Sequence, residues 1–426
     1  MTRLRLLSSE TFSSLSIRNF RLFFAGQSIS QVGNWLTLVA QALLVLKITG
    51  NGVAVGLLTA FQFAPVLLLG PWAGLVADRS DKRKLLMRVQ MFAMAQSFAL
   101  GALAFMDRPP VGAIYAIAFF GGVATAFDNP ARRSFVVEMV DGEHVNNAVS
   151  LNSALMTGSR VVGPALAGLL ISTVGYGWCF IVDAVSYVAV IIGYRMMDPT
   201  KIHAGPVTPR GKGQVRAGLR YAMGKDELRI PLLMMAIIGT LAFNFTVVMP
   251  LLIKDVFHGS DATFTIFFSV ISLGSLFGAL YTARRRAVSI HDVVVSAAVF
   301  GVAMLVLAIA PNLWFAFPVG VVFGAASIGF MTASTSIVQV EADPAMRGRV
   351  LALQAMVFLG STPIGGPIVG LVCDWFGARA GVALGGVATV AAAGYGFWAL
   401  RHLPGRGGVT TYAGIDTPMP PRVSAP

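Results

Sequence analysis

Charged residues, cysteine and histidine are scarce in this chain of 426 residues, and each scarcity excludes a class of protein. Charged residues make up 12%, whereas an ordinary soluble domain carries roughly 25%. The two cysteines, Cys179 and Cys373, lie in separate apolar runs, which excludes a disulfide framework and a cysteine metal site. The five histidines do not pair at a ligand spacing. We therefore expect no metal site.

A nucleotide-binding loop is missing as well. The Gly-Lys pair at Gly211-Lys212 is followed by Gly213, where a phosphate-binding loop needs Ser or Thr. Without an ATPase domain, any transport against a concentration gradient has to be driven by an ion gradient. We expect neither a cofactor nor an enzymatic activity.

Long apolar runs, in contrast, fill most of the sequence. Hydrophobic residues make up 56% of the chain, and the mean hydropathy is +0.74. A helix that crosses a bilayer needs about 20 apolar residues. Twelve such runs are centred near residues 35, 64, 95, 119, 162, 187, 241, 272, 301, 323, 361 and 390. The sequence therefore predicts an all-α polytopic membrane protein with 12 transmembrane helices embedded in a lipid bilayer.

The net charge of +13 is distributed unevenly along the chain. With the N-terminus in the cytoplasm, all but five of the 32 Lys and Arg fall in cytoplasmic segments. The exceptions are Lys47, Arg108, Lys254 and Arg379 in outer loops and Arg160 inside a span. This is the positive-inside pattern, which predicts an inner-membrane protein with both termini in the cytoplasm. Nucleic acid is excluded as a partner, because the cations are not gathered on one soluble domain.

The longest polar stretch, residues 198–228, separates the first six runs from the last six. Pro and Gly interrupt it, and Gln214–Leu228 is predicted to form a short amphipathic helix on the inner membrane face. The predicted domains are a cytoplasmic N-terminal segment at 1–18, an N-terminal six-helix half at 19–197, the linker at 198–228, a C-terminal six-helix half at 229–400 and a disordered cytoplasmic tail at 401–426.

The two halves also resemble each other in sequence. Val137-Glu138 recurs as Val340-Glu341, and Gly163-Pro164 recurs as Gly366-Pro367, both 203 residues later. Parallel six-helix repeats are one plan of secondary transporters, in which the substrate site lies between the repeats near the midplane. The repeat therefore predicts a transporter.

The loop between spans two and three, Gly74–Lys84, resembles the signature loop of the major facilitator superfamily, G-x-x-x-D-R-x-G-R-R/K. Asp81 departs from the pattern, which has Gly there, and the corresponding loop of the second half has Thr282 in place of the carboxylate. The resemblance implies a cytoplasmic gate or latch confined to the first half. Its predicted members are Gly74, Asp78, Arg79, Lys82, Arg83 and Asp128.

A second resemblance, to the branch that includes the enterobactin exporter and related drug-efflux permeases, runs from about residue 15 to 400. It is carried by the segment from Asp128 to Glu138, by Asn147–Asn152 and by Arg347–Val350. Span five also resembles the antiporter motif G-x-x-x-G-P-x-x-G-G, with Ser159 and Ala167 in place of two glycines. The residues predicted to pack or bend these helices are Gly163, Pro164, Gly168, Gly366 and Pro367.

Asp183 is the most informative single residue, because it is an ionisable side chain inside an apolar run. Burial of a carboxylate in a bilayer is costly, so such a residue predicts an ion, proton or substrate path. The alternative is a structural Asp satisfied by hydroxyls such as that of Ser186. Arg160 lies about ten residues into span five and is the second predicted coupling residue. Asp128 and Asp183 are its candidate counter-charges, and an anionic substrate is the alternative.

Span one carries polar residues on one helical face, at spacings of three and four. Such a face turns towards the bundle interior or a wet cavity, so it either joins helices or contacts substrate. The residues predicted to line the cavity are Gln27, Gln31, Asn34, Trp35, Gln62 and Asn244.

Together these features predict a monomeric secondary transporter of the major facilitator type. We expect it to export a small organic molecule, such as a siderophore or a drug, by alternating access and in exchange for protons. The alternatives are a facilitator or importer of a small metabolite on the same fold and, from a different class, a non-transporting membrane receptor.

Overall fold

The computed structural model describes residues 12–203, 214–283 and 288–402, and within these ranges the chain is helical and contains no strand. A short 3-10 turn, Ser13–Ser16, precedes the first long helix. The helices are α1 Arg18–Thr49, α2 Gly52–Arg79, α3 Lys82–Ala104, α4 Val111–Glu138, α5 Val145–Thr173, α6 Tyr176–Met196, α7 Gln214–Gly224, α8 Asp226–Leu241, α9 Phe245–Leu251, α10 Asp261–Ala283, α11 Ile290–Ala308, α12 Leu313–Glu341, α13 Pro344–Phe376 and α14 Ala378–Arg401.

Eleven segments of the described chain are long and apolar enough to cross a membrane, with α8 and α9 counted as one. The remaining predicted span corresponds to α3, whose first turn consists of the basic run Lys82–Lys84 and lowers its hydropathy. Helix α3 nevertheless packs along α4 and α6 like its neighbours. The predicted all-α membrane fold is confirmed.

The helices form two halves that meet along two pairs of helices. In the first half α1 packs on α6, α2 on α4 and α3 on α6; in the second half α10 packs on α12 and α11 on α14. The halves contact each other through α2 with α13 and α5 with α10. We call the end of the bundle where α1 begins and α14 ends the terminal end, and the opposite end the distal end.

The seventh span is broken near its middle. Helix α8 ends at Leu241, α9 begins at Phe245, and the last turn, Leu252–Val256, is a π-helix. Pro250 lies inside this stretch and cannot donate a helical hydrogen bond. The break places Asn244 between two helical segments, where its side chain donates to the carbonyl oxygen of Thr240 at 2.7 Å.

Exposed tryptophans mark both ends of the bundle. Trp178, Trp314 and Trp375 lie at the distal end, and Trp72 and Trp398 at the terminal end. Tryptophan favours the boundary between hydrocarbon and water, so the five side chains outline a membrane-embedded band.

The amphipathic linker helix is shorter than predicted. It spans Gln214–Gly224 and packs on α13 and α8, and α8 begins directly after it at Asp226. The buried side of this helix includes Ala222, whereas Arg216 and Arg220 are exposed. The predicted tail, apart from its first residues, and the basic run after Thr282 lie outside the described residues.

Candidate substrate and coupling sites

The loop between α2 and α3 is tied to the rest of the first half at the terminal end. Lys82 Nζ lies 2.6 Å from Glu138 Oε1 at the end of α4, and both side chains are about nine-tenths buried. Arg83 Nε donates to the carbonyl oxygen of Tyr194 at 2.6 Å, near the end of α6. Lys82 therefore meets a carboxylate at the C-terminal end of α4, and Arg83 meets a backbone carbonyl group near the C-terminal end of α6. Cations are favourable at helix C-termini.

The departure from the signature at Asp81 has a local explanation. Asp81 is the N-cap of α3, and its Oδ1 accepts from the backbone N–H of Lys84 at 3.1 Å. A carboxylate at this position satisfies a free N–H and the helix dipole together. The other predicted gate residues stand at the end of α2, with Gly74 buried, Asp78 half-buried and Arg79 exposed.

Asp128 belongs to a buried polar cluster that joins four helices near the terminal end. Its Oδ2 lies 3.0 Å from Nε of Arg132, one turn further along α4, and its Oδ1 accepts from Gln90 of α3 at 2.9 Å. Arg132 also reaches Gln27 Oε1 of α1 at 3.5 Å, and Gln27 donates to the Tyr194 hydroxyl at 3.2 Å. The charges of Asp128 and Arg132 therefore compensate each other.

Asp183 is fully buried in a pocket of hydroxyl groups from three helices. Its Oδ2 accepts from Thr37 of α1 at 2.6 Å and from Ser97 of α3 at 2.8 Å, whereas Oδ1 has no hydrogen-bond donor. Ser186 donates to the backbone carbonyl of Asp183 and not to its carboxyl group. Gly33 leaves room for the carboxyl group, because a Cβ there would lie 2.5 Å from Oδ1.

Arg160 lies on α5 and is stacked against Trp35 of α1. The guanidinium carbon is 5.7 Å from the centre of the indole ring, and Nε is buried without an acceptor. Gly163 stands one turn further along α5, directly against the base of the Trp35 side chain. Trp35 in turn packs 6.1 Å from Phe268 of α10, so this group connects the two halves.

Neither predicted counter-charge pairs with Arg160 among the described residues. Asp128 is engaged by Arg132, which lies four residues away on the same helix, and Asp183 is held by hydroxyls. Of the alternatives left open by the sequence, neither bridge to Arg160, from Asp128 or from Asp183, is formed among the described residues. Side chains four residues apart on one helix are neighbours, which explains why Asp128 pairs with Arg132.

The predicted cavity residues of α1 divide into two groups. Gln27 and Gln31 are buried, and Gln31 donates to Gln27 at 3.0 Å. Gln27 also donates to the Tyr194 hydroxyl of α6, which favours for Gln27 the alternative of a contact between helices. Asn34 is exposed and accepts from the Tyr187 hydroxyl at 2.7 Å. Gln62 donates to Gln41 at 2.8 Å and thereby joins α2 to α1.

The contact between α2 and α13 is made by backbone against backbone. Gly52 and Gly56 of α2 face Gly366 and Gly370 of α13, and a Cβ on Gly366 would lie 2.9 Å from the carbonyl oxygen of Gly56. Small residues spaced four apart allow this approach in a membrane helix. We call these four glycines the α2–α13 seam.

The contact between α5 and α10 differs in kind, because a glycine there meets a side chain. Gly168 lies against the side chain of Thr265, whose Cβ would be 2.9 Å from an added Cβ. Farther along, where these helices reach the distal end, the Tyr176 hydroxyl donates to Asp261, whose Oδ1 lies 2.5 Å from Lys254 Nζ.

A further bond at the distal end lies beside the α2–α13 seam. Asp374 of α13 accepts from the backbone N–H groups of Gly52 and Val53 at 2.5 and 2.8 Å, so it caps the first turn of α2 from the other half. Asp261 and Asp374 are not among the residues predicted from the sequence. The only available signal was that each is an acid at the distal end of an apolar helix.

Twelve predicted spans, two helical halves and glycine contacts between them define a transporter of the major facilitator superfamily. The chain matches the model of the transmembrane secretion effector family over residues 9–404 and belongs to that family. It is 24% identical over 379 residues to the staphyloferrin A transporter of Staphylococcus aureus, covering 87% of this chain and 93% of the relative. It is 22% identical over 364 residues to macrolide efflux protein A of Streptococcus pyogenes, covering 84% and 90%.

The fold is shared with a solved transporter as well. A bacterial homologue of the human lysosomal transporter Spinster, in an inward-facing and unoccupied conformation, superposes with a TM-score of 0.72 at 17% identity. The match covers 90% of this chain and 96% of that one.

Proposed function

We propose that this transporter exports a small organic molecule from the cytoplasm in exchange for protons. The names of its relatives, a staphyloferrin A transporter and a macrolide efflux protein, support transport of a small organic molecule, and the second supports efflux. The basic residues of the α2–α3 loop stand at the terminal end, and by the positive-inside rule this end faces the cytoplasm of an inner-membrane protein. The distal end, at which the halves are joined, then faces outward. The chain acts as a monomer.

The observation that carries the proposal is the environment of Asp183. A fully buried carboxylate without a cationic partner is costly, and it persists where it has a function. Both groups that bind it, Thr37 and Ser97, are hydroxyls, which donate to a carboxylate and also accept from a carboxylic acid. The pocket can therefore hold Asp183 in either protonation state without moving an opposing charge.

Helix α1 connects the Asp183 pocket to the contact between the halves at Trp35. Gly33 and Thr37, one turn apart, contact Asp183, whereas Trp35 points to the other side of the same helix and contacts Arg160 and Phe268. A change in the packing of α1 on α6 is thereby passed to the contact between the halves. This arrangement supports coupling between protonation and the opening of one end.

The test uses inside-out membrane vesicles with an acid lumen and labelled staphyloferrin A and a labelled macrolide. We expect the parent to accumulate at least one compound and to lose accumulation when the pH gradient is collapsed. Asp183→Asn keeps an acceptor for Thr37 and Ser97 but cannot exchange a proton. It should still exchange the compound across the membrane and fail to concentrate it.

The matched control is Asp107→Asn, because Asp107 is an exposed acid between α3 and α4. It should accumulate the compound like the parent. Gradient-driven accumulation by Asp183→Asn at the parental rate would show that coupling does not pass through Asp183. Uptake by the parent that ignores the pH gradient would contradict proton exchange altogether.

A further inference from the structure

Arg160 is a half-buried cation without an anionic partner in the described chain, and its Nε is fully buried. Its guanidinium lies over the Trp35 ring, its Nε has no acceptor, and the two candidate counter-charges, Asp128 and Asp183, are held by other groups. Buried charges in proteins are normally paired, because an unpaired one loses its hydration without compensation. The missing partner of Arg160 is therefore expected to be an anion that does not belong to the protein.

The surroundings of Arg160 also restrict the shape of that anion. The guanidinium carbon lies over the Trp35 ring, 5.7 Å from its centre, and the guanidinium carries five N–H donors. Gly163 fixes the base of the Trp35 side chain against α5, and Phe268 of the other half lies next to the indole ring. A ligand whose anionic group binds the edge of Arg160 therefore has aromatic surface from both halves beside it.

The planar fork of an arginine matches a carboxylate, to which it donates two parallel hydrogen bonds. From this geometry we infer that Arg160, Trp35 and Phe268 form a binding subsite for an organic carboxylate that carries a flat apolar group. The inference rests on the proposed function, since it names the chemical class of the exported substrate. Because α1, α5 and α10 all contribute, occupancy of the subsite reaches both halves at once.

Binding to the purified full-length protein in detergent tests the subsite. The probes are 2-naphthoate and its uncharged amide, 2-naphthamide, titrated by calorimetry without any proton gradient. We expect the parent to bind the carboxylate at least tenfold more tightly than the amide. Arg160→Gln should lose this preference, and Arg160→Lys should keep part of it, because the charge remains without the fork.

Two further variants separate binding from folding. Trp35→Leu removes the stacking surface and should weaken both probes about equally while preserving the preference for the carboxylate. Arg88→Gln, at an exposed arginine of α3, is the matched control and should bind like the parent. Arg160→Gln should melt at or above the parental temperature, since it removes an unpaired charge whose Nε is buried.

Equal affinities of the parent for the two probes, or no binding of naphthoate, would overturn the subsite. Parental binding of naphthoate by Arg160→Gln would also overturn it. These readouts do not depend on proton coupling. If the parent does not accumulate either compound in vesicles but still prefers naphthoate to naphthamide, the proposed export is wrong and the subsite stands. If the parent accumulates a compound but shows no preference for naphthoate, only the subsite is rejected.

Discussion

Gly168 offers a direct way to open the distal end of the transporter. In the structure a Cβ at this position would overlap the side chain of Thr265 on the other half. Gly168→Ala therefore forces α5 and α10 apart wherever they are in contact. Adding a methyl group to a packed contact costs about 1–3 kcal/mol, and the cost falls only on the state in which the distal end is closed.

The expected change in population follows from that cost. Since about 1.4 kcal/mol corresponds to a tenfold change in an equilibrium constant, the ratio of distal-open to distal-closed molecules should rise by roughly 5- to 150-fold. Spin labels at Ser172 and Ala262, on opposite sides of the contact, report it in a background without Cys179 and Cys373. The distance distribution should gain a longer component.

Two variants control this measurement. Gly158→Ala adds the same methyl group to the same helix at a position where it meets no neighbour within 4 Å, and it should leave the distances unchanged. Combining Gly168→Ala with Thr265→Gly removes the overlapping side chain and should restore the parental distribution. An unchanged distribution in Gly168→Ala alone would refute the role of this contact in closing the distal end.

Two further outcomes are expected. Asp374→Asn leaves one acceptor for two N–H groups of α2, so the distal end should be wider in this variant. The same distance measurement, with labels beside Gly52, checks this, and an unchanged width would contradict a role of Asp374 in joining α2 to α13. Hydrogen bonds from Lys225 and Tyr221 hold the pKa of Asp343 below its usual range. The stabilisation that the charged Asp343 gives to the docking of α7 is present at neutral pH and is lost below about pH 4. Hydrogen exchange should show protection of α7 falling with acid in the parent and not in Asp343→Asn.

The membrane fold could be predicted from sequence because bilayer length and hydropathy constrain each helix separately. Asp183 was identified for the same reason, since a single acid in an apolar run is visible without any knowledge of packing. The hydroxyl groups that bind Asp183 were not predicted, because Thr37 and Ser97 lie 146 and 86 residues away from it in the chain. Hydroxyls are common in membrane helices, and only the tertiary contacts select these two.

The partner of Arg160 could not be chosen from the sequence for a related reason. Opposite charges in neighbouring spans suggest a pair, but helix rotation decides whether the side chains meet. Arg132 satisfies Asp128 within one helix, and Arg160 turns towards Trp35. The distal acids Asp261 and Asp374 were missed because their partners include a tyrosine hydroxyl and backbone N–H groups, which no charge pattern reveals. The pairing of Asp261 with Lys254 joins two segments whose proximity only the fold shows.

The α2–α13 seam has a consequence for how such a transporter can evolve. Where glycine backbone faces backbone, every substitution of a glycine adds volume, so the four glycines offer no intermediate steps between the present fit and a collision. The α5–α10 contact has Thr265, which can become serine or alanine and change the fit by one atom at a time. Lineages that adapt to new cargo or new growth temperatures should therefore vary at Thr265 and its neighbours while the glycines of α2 and α13 stay fixed.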